Sequence, residues 1–156
     1  MERSRGMVNR IQILGINIDP LTMAETVEKV DRIIIEKTPL HLMGVNADKI
    51  NQCHSDEVIK KIVNESGIIN ADGASVVLAG RFLGQSIPER VAGIDLMQEL
   101  LNLSNRKGYS VYFLGAKEEV LQDMLSIFKG TYPQLKVVGF RNGYFTEHDE
   151  EAIQED

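Results

Sequence analysis

Apolar positions along this chain switch repeatedly between two spacings. Ile11, Ile13 and Gly15 alternate with polar neighbours, which predicts a strand over residues 11–18 that bends at Gly15. Asp19-Pro20-Leu21-Thr22 then opens a helix. Thr22 and Glu25 stand at capping-box spacing, and Met23, Val27, Val30 and Ile34 share one face. Residues 41–45 read as the next strand, and Asn46-Ala47-Asp48 reads as a cap for the segment after it. A helix from Ser55 is expected to turn Val58, Ile59, Ile62 and Val63 inward. Residues 67–69 form a third short apolar run, leading to a turn at Asp72 and a helix to Leu83. After a loop over 84–88 come a helix over 95–105, a strand over 110–114 closed by Gly115, and a helical face of Leu121, Met124, Leu125 and Phe128. A last strand spans 135–140, and Thr146-Glu147-His148-Asp149 begins an acidic helix.

Strand–helix alternation of this kind predicts parallel strands joined by right-handed crossovers. The expected class is α/β, a layered fold with a mainly parallel sheet flanked by helices. The 156 residues suit one domain. Residues 1–10 read as a leader, with a second methionine at Met7, and residues 11–156 as the domain. That domain is expected to be incomplete at its C-terminus, because it stops inside a helix start with no closing strand.

Composition narrows the function classes. With 43% hydrophobic and 26% charged residues the chain is globular rather than disordered. A net charge of −6 argues against nucleic acid as a partner, since such binding comes from neutralising phosphates. An anionic ligand would instead need a few local cations and backbone N–H groups. Cys53 is the single cysteine, so no intrachain disulfide forms and a reducing compartment is expected. No apolar run approaches the ~20 residues of a membrane span, and Arg3 and Arg5 precede no apolar signal segment.

Candidate chemistry gathers at predicted strand ends, where open α/β sheets hold their ligands. Asp72 follows an apolar run and precedes a helix; the spacing favours a helix N-cap, with a general base as the other reading. Arg90, in a Pro-containing loop, is either solvated or a bidentate partner for a diphosphate. Asp95 reads as the cap of the following helix, and Asn46 as a cap or a ligand contact beside Gly44. Gly115 ends a strand before a helix, like half of a phosphate-binding turn. The dinucleotide fingerprint G-x-G-x-x-G is absent, as are D-x-D, zinc-ligand spacing around Cys53-His54, and G-x-S-x-G.

Three segments together are more specific than any of these residues. Ala71-Asp72-Gly73-Ala74-Ser75-Val76-Val77, Ile87-Pro88-Glu89-Arg90-Val91-Ala92-Gly93-Ile94-Asp95-Leu96 and Phe113-Leu114-Gly115-Ala116 resemble the WecG/TagA/CpsF glycosyltransferase family. The resemblance runs from about residue 11 to 145. It is nearest to the members that transfer N-acetylmannosamine in wall teichoic acid synthesis. It implies a Rossmann-like fold and inverting transfer from UDP-N-acetylmannosamine to the C4 hydroxyl of N-acetylglucosamine on undecaprenyl diphosphate, giving a β-1,4 linkage. It implies Asp72 as catalytic base and Arg90 as the catalytic residue that steadies a diphosphate. With Arg90, it implies that Asn46, Gly73, Ala74, Gly93, Asp95 and Gly115 bind substrate.

The resemblance further implies no metal and no cofactor, in keeping with the missing D-x-D. It implies a homo-oligomer lying peripherally at the cytoplasmic face of the cell membrane, which it reaches through a C-terminal segment beyond this chain. Apolar residues of the Asp72 helix and of helix 96–101 are candidates for self-association. Two departures stand out. Gly44 occupies a position where relatives often carry a hydroxyl, and the family continues past residue 156 with a glycine-rich turn and a Pro-Lys-Gln-Glu segment. A fragment is therefore expected. Other readings are a different UDP-sugar donor such as UDP-N-acetylmannosaminuronic acid, a non-catalytic nucleotide-binding or assembly module, and, more distantly, an NAD enzyme.

Overall fold

The computed structural model describes residues 9–146 and Ile153. The chain divides into two compact units, Met1–Met97 and Gln98–Asp156. The architecture is mixed α/β, with short parallel strand pairs connected through helices, as in Rossmann-like folds. The acidic helix expected from Thr146 falls on residues 147–149, outside the described residues.

The first unit opens differently from the alternation pattern. Residues 11–18 are two strands, β1 (Ile11–Ile13) and β2 (Ile16–Ile18), paired antiparallel. Leu14 and Gly15 both have positive φ, 51° and 79°, so the chain reverses in a two-residue turn where a bend was expected. Alternation continues across such a turn, which hides it from a period-2 pattern. Ile13, Ile16 and Ile18 are fully buried. Helix α1 (Met23–Glu36) begins with the predicted capping box, in which Thr22 accepts from Glu25 N and Glu25 accepts from Thr22 N. Its buried residue is Thr26, with Met23, Val27 and Val30 half-buried. Ile34, expected inward, is exposed. Successive helical residues are about 100° apart, so Ile33, Ile34 and Ile35 cannot all turn inward, and only Ile33 is partly covered.

β3 (Leu42–Val45) and β4 (Ile68–Ala71) pair in parallel, Leu42 opposite Ile68 and Val45 opposite Ala71. Every residue of β4 is buried, as in a strand covered on both faces. The connection is two helices, α2 (Ala47–Ser55) and α3 (Glu57–Glu65). Ser55 ends α2 and does not start α3; Asp56 caps α3 by accepting from Val58 N and Ile59 N. Val58 and Ile62 are exposed, whereas Ile59 and Val63 form the inward stripe. The core joins Ile13, Ile16, Ile18, Val45, Ile50, Cys53, Val63, Ile69, Ala71, Val76 and Ile87.

An ion pair between the partly exposed Arg10 and a buried carboxylate ties the hairpin to β4. Asp19 is 5% exposed. Its carboxylate accepts from Arg10 Nε and Nη2 at 3.1 and 3.2 Å and from Ile69 N at 2.7 Å. Asp19 N donates to Ile69 O at 2.8 Å. Helix α4 (Ala74–Phe82) follows β4, and α5 (Gly93–Lys107) starts in the first unit and runs into the second. Val76, Leu96 and Leu101, candidates for self-association, are buried and serve packing instead; Leu78 of α4 is exposed.

In the second unit β5 (Ser110–Leu114) and β6 (Lys136–Arg141) pair in parallel through α6 (Glu118–Thr131). A register shift falls between Val111 and Tyr112. Phe113, Phe128 and Tyr132 pack in series, the first pair tilted and the second edge-on, with ring centroids 5.7 and 5.3 Å apart.

Candidate functional site

Because β3 and β4 are parallel and end in register, their next residues, Asn46 and Asp72, emerge at one sheet edge. Asp72 N and Gly73 N both donate to Val45 O, at 2.9 and 3.3 Å, carrying the chain over the end of β3. Asn46 caps α2, its Oδ1 accepting from Lys49 N at 2.9 Å. The cap of α4 is Gly73, with no side-chain cap bond. A Cβ on Gly73 would stand 3.2 Å from Asn46 Cβ and 3.3 Å from Asn46 Cα. Glycine therefore lets two helix starts touch, and their first N–H groups, which lack intrahelical partners, open at the same edge.

The cap reading of Asp72 is thereby corrected. Asp72 lies one residue before the cap, and its side chain bonds to no helix N–H. Instead its carboxylate leans over Gly44: a Cβ there would lie 3.1 Å from Oδ2, and one on Gly93 would lie 3.6 Å from it. Among the described residues the Asp72 carboxylate has no hydrogen-bond or ion-pair partner. It is a half-buried acceptor between two glycines.

Arg90 is held to the same turn. Its Nε donates to Asp72 O at 2.7 Å, and Val91 N donates to Ala71 O at 2.9 Å. The segment thus runs beside the end of β4, anchored by buried Val91 and Ala92. One guanidinium edge is spent on a backbone carbonyl. The terminal nitrogens have no partner among the described residues, leaving a cation at the edge of the site. Glu89, unassigned by motif reasoning, accepts from Met23 N at 2.9 Å and so ties this segment to the start of α1. An acid beside the arginine was the available signal, but a contact 66 positions away in sequence leaves no local pattern.

The remaining candidates separate. Gly93 begins α5 next to Asp72, and exposed Ala74 is the first residue of α4. Asp95 is not a cap: α5 already starts at Gly93, with Leu96 N donating to Ala92 O at 2.9 Å, so exposed Asp95 sits in its first turn. Gly115 belongs to the second unit. There it closes β5 with φ +136°, donates to Arg141 O at 3.0 Å, and leads into Ala116 at φ 59°. A groove between α6 and β6, lined in part by Leu125, Phe128, Tyr132, Val137 and Phe140, contains none of the candidates. No cluster of three or more His, Cys, Asp or Glu among the described residues is placed to hold a metal. No helix of the described residues is long and apolar enough to cross a membrane.

In this α/β chain an acid and an arginine thus stand at the carboxyl edge of parallel strands beside adjoining helix starts, an edge that offers N–H donors and a guanidinium next to a carboxylate with no described partner. The model of the glycosyl transferase WecG/TagA/CpsF family matches residues 11–156, and the chain belongs to that family. Similar relatives include the N-acetylglucosaminyldiphosphoundecaprenol N-acetyl-beta-D-mannosaminyltransferases of Staphylococcus aureus strains NCTC 8325 / PS 47 and MRSA252. Each is 27% identical over 152 residues, covering 96% of this chain and 59% of the relative. The chain thus spans about three-fifths of the length of the curated relatives it matches.

Proposed function

We propose that this chain carries the catalytic half-site of an inverting glycosyltransferase. The donor is UDP-N-acetylmannosamine, and the acceptor is the C4 hydroxyl of N-acetylglucosamine on diphosphoundecaprenol. The reaction forms the β-1,4 disaccharide of the wall teichoic acid linkage unit at the cytoplasmic face of the membrane. The observation that carries this reading is the Asp72 carboxylate: it stands at the ligand edge, caps no helix and has no described partner. Such a group is available to take the acceptor hydroxyl proton as the oxygen attacks the anomeric carbon. The UDP leaving group carries away the electron pair of the broken bond.

Arg90 supplies positive charge for the donor or acceptor diphosphate, assisted by the helix-start N–H groups around Asn46, Gly73 and Ala74. Gly93 keeps the carboxylate accessible, Asp95 in the first turn of α5 belongs to the set assigned to substrate, and Gly115 is a separate candidate within the second unit. The reading includes metal-independent transfer, supported by the absence of D-x-D, and homo-oligomeric, membrane-peripheral action. A donor bearing a carboxylate, such as the mannosaminuronic acid, would require a further cation.

The test is transfer by the full-length protein from UDP-N-acetylmannosamine to a short-chain lipid-diphosphate acceptor, with and without chelator. Asp72→Asn should lower kcat by at least about 100-fold while UDP binding holds. Wild-type transfer by that variant would remove Asp72 as base, and loss of activity in chelator would remove the metal-free mechanism.

A further inference from the structure

Asn70 stands two residues before Asp72 and is 1% exposed. Its amide orientation is set by α1. Nδ2 donates to Thr26 Oγ1 at 3.0 Å, while the Thr26 hydroxyl gives its own proton to Thr22 O at 2.9 Å. A flipped amide would press its carbonyl against an oxygen with no proton to offer. The outward end is therefore Oδ1, a buried acceptor with no hydrogen-bond partner. Buried polar atoms left this way call for a donor.

Asn70 lies in β4 and Asp72 one residue past its end; their two-residue spacing places extended neighbours on one face, about 6.6 Å apart along the chain. Gly44 is the register partner of Asn70 on β3, and Asp72 Oδ2 lies 3.1 Å from the point a Gly44 Cβ would take. The carboxylate thus leans back toward the residue that Asn70 faces across the ladder. Two unsatisfied acceptors flank one missing side chain. A water, with two protons to give, suits both acceptors.

We propose that Asn70 is a positioning residue for Asp72: its Oδ1 and the Asp72 carboxylate share one buried water seated against Gly44. The water holds the carboxylate in one orientation with its other lone pairs toward the ligand edge. Its role in turnover rests on Asp72 being the base, but the water itself does not.

A high-resolution crystal structure of the chain should show a water within about 3.2 Å of both Asn70 Oδ1 and an Asp72 carboxylate oxygen. Its absence overturns the proposal. Asn70→Leu removes the acceptor at similar volume, and Gly44→Ala puts a methyl group 3.1 Å from Asp72 Oδ2, crowding the carboxylate as well as the water. Both should lower kcat about tenfold with little change in KM. Both should also move the acid limb of the pH–rate profile to higher pH, since a donor lost from an ionised carboxylate favours its protonated form. The charged residues carried by the elements around this edge, Glu25 and Lys29 of α1, Asp48 and Lys49 of α2, Arg81 of α4, and Arg90 and Asp95 beyond it, are the same in wild type and variants. A folded Asn70→Leu protein with wild-type kcat and pH profile overturns the positioning role. If Asn70→Leu does not fold, the presence or absence of the wild-type water decides the matter. Wild-type protein that holds the water yet transfers no sugar would sink the proposed function and leave the bridge standing.

Discussion

Removing the Asp19 carboxylate should loosen the strand on which Asp72 rides. Asp19→Ala deletes two bonds from Arg10, at 3.1 and 3.2 Å, and the acceptor of Ile69 N at 2.7 Å. Losing one partner of a buried pair costs about 3–5 kcal/mol, chiefly because the other is left uncompensated. Arg10 is not left bare, however. It keeps the carbonyls of Asn64, Ser66 and Gly67 at 3.2, 2.6 and 2.9 Å, and its side chain is 31% exposed. The orphan that matters is Ile69 N, inside a fully buried strand. The low end of the range, about 3 kcal/mol, therefore applies, equivalent to a Tm lower by about 6–12 °C in a chain of this size. Thermal unfolding followed by circular dichroism measures it. The double variant with Arg10→Met should fall by less than the sum of the singles, because the two groups share one network. A Tm shift under about 2 °C for Asp19→Ala would refute the claim that this carboxylate joins the hairpin to β4.

Leu14 occupies the left-handed region at φ 51° in a turn that suits Asn-Gly. Leu14→Asn should therefore stabilise by about 1 kcal/mol; the same melt checks it, and His54 keeps its contact because it uses Leu14 O. Bonds from Thr22 N and the Thr22 hydroxyl hold the Glu25 carboxyl below its ordinary value of 4.5. Its contribution is thus present above the unfolded value and is lost as pH falls through the lower folded one. Melts at stepped pH should show Glu25→Gln shrinking the acid-side loss of stability, and an unchanged slope would count against the capping box. Burial raises the Cys53 thiol above its usual 9.0. Ellman's reagent should accordingly find Cys53 inert in the native protein and reactive after denaturation, whereas prompt native labelling would contradict the buried position.

Local signals in the sequence determined much of this protein. The Thr22–Glu25 box, the Asn46 cap and the short apolar runs at β3 and β4 each report interactions between near neighbours or one buried face, and the structure keeps them. Other features arise between distant segments. Alternation reads the same through a hairpin turn as through a continuous strand, so only the folded chain separates β1 from β2. Spacing favoured Asp72 as a cap, yet tertiary packing gave that role to Gly73, because only a residue without Cβ can pass so near Asn46. The contacts Arg10–Asp19, Met23–Glu89 and Thr26–Asn70 join residues 9, 66 and 44 positions apart. The sequence by itself thus determined the family the chain belongs to and which residues are candidates for its chemistry. Tertiary structure alone decided that the Asp72 carboxylate has no partner among the described residues, since whether a side chain has a partner depends on what the rest of the fold brings beside it.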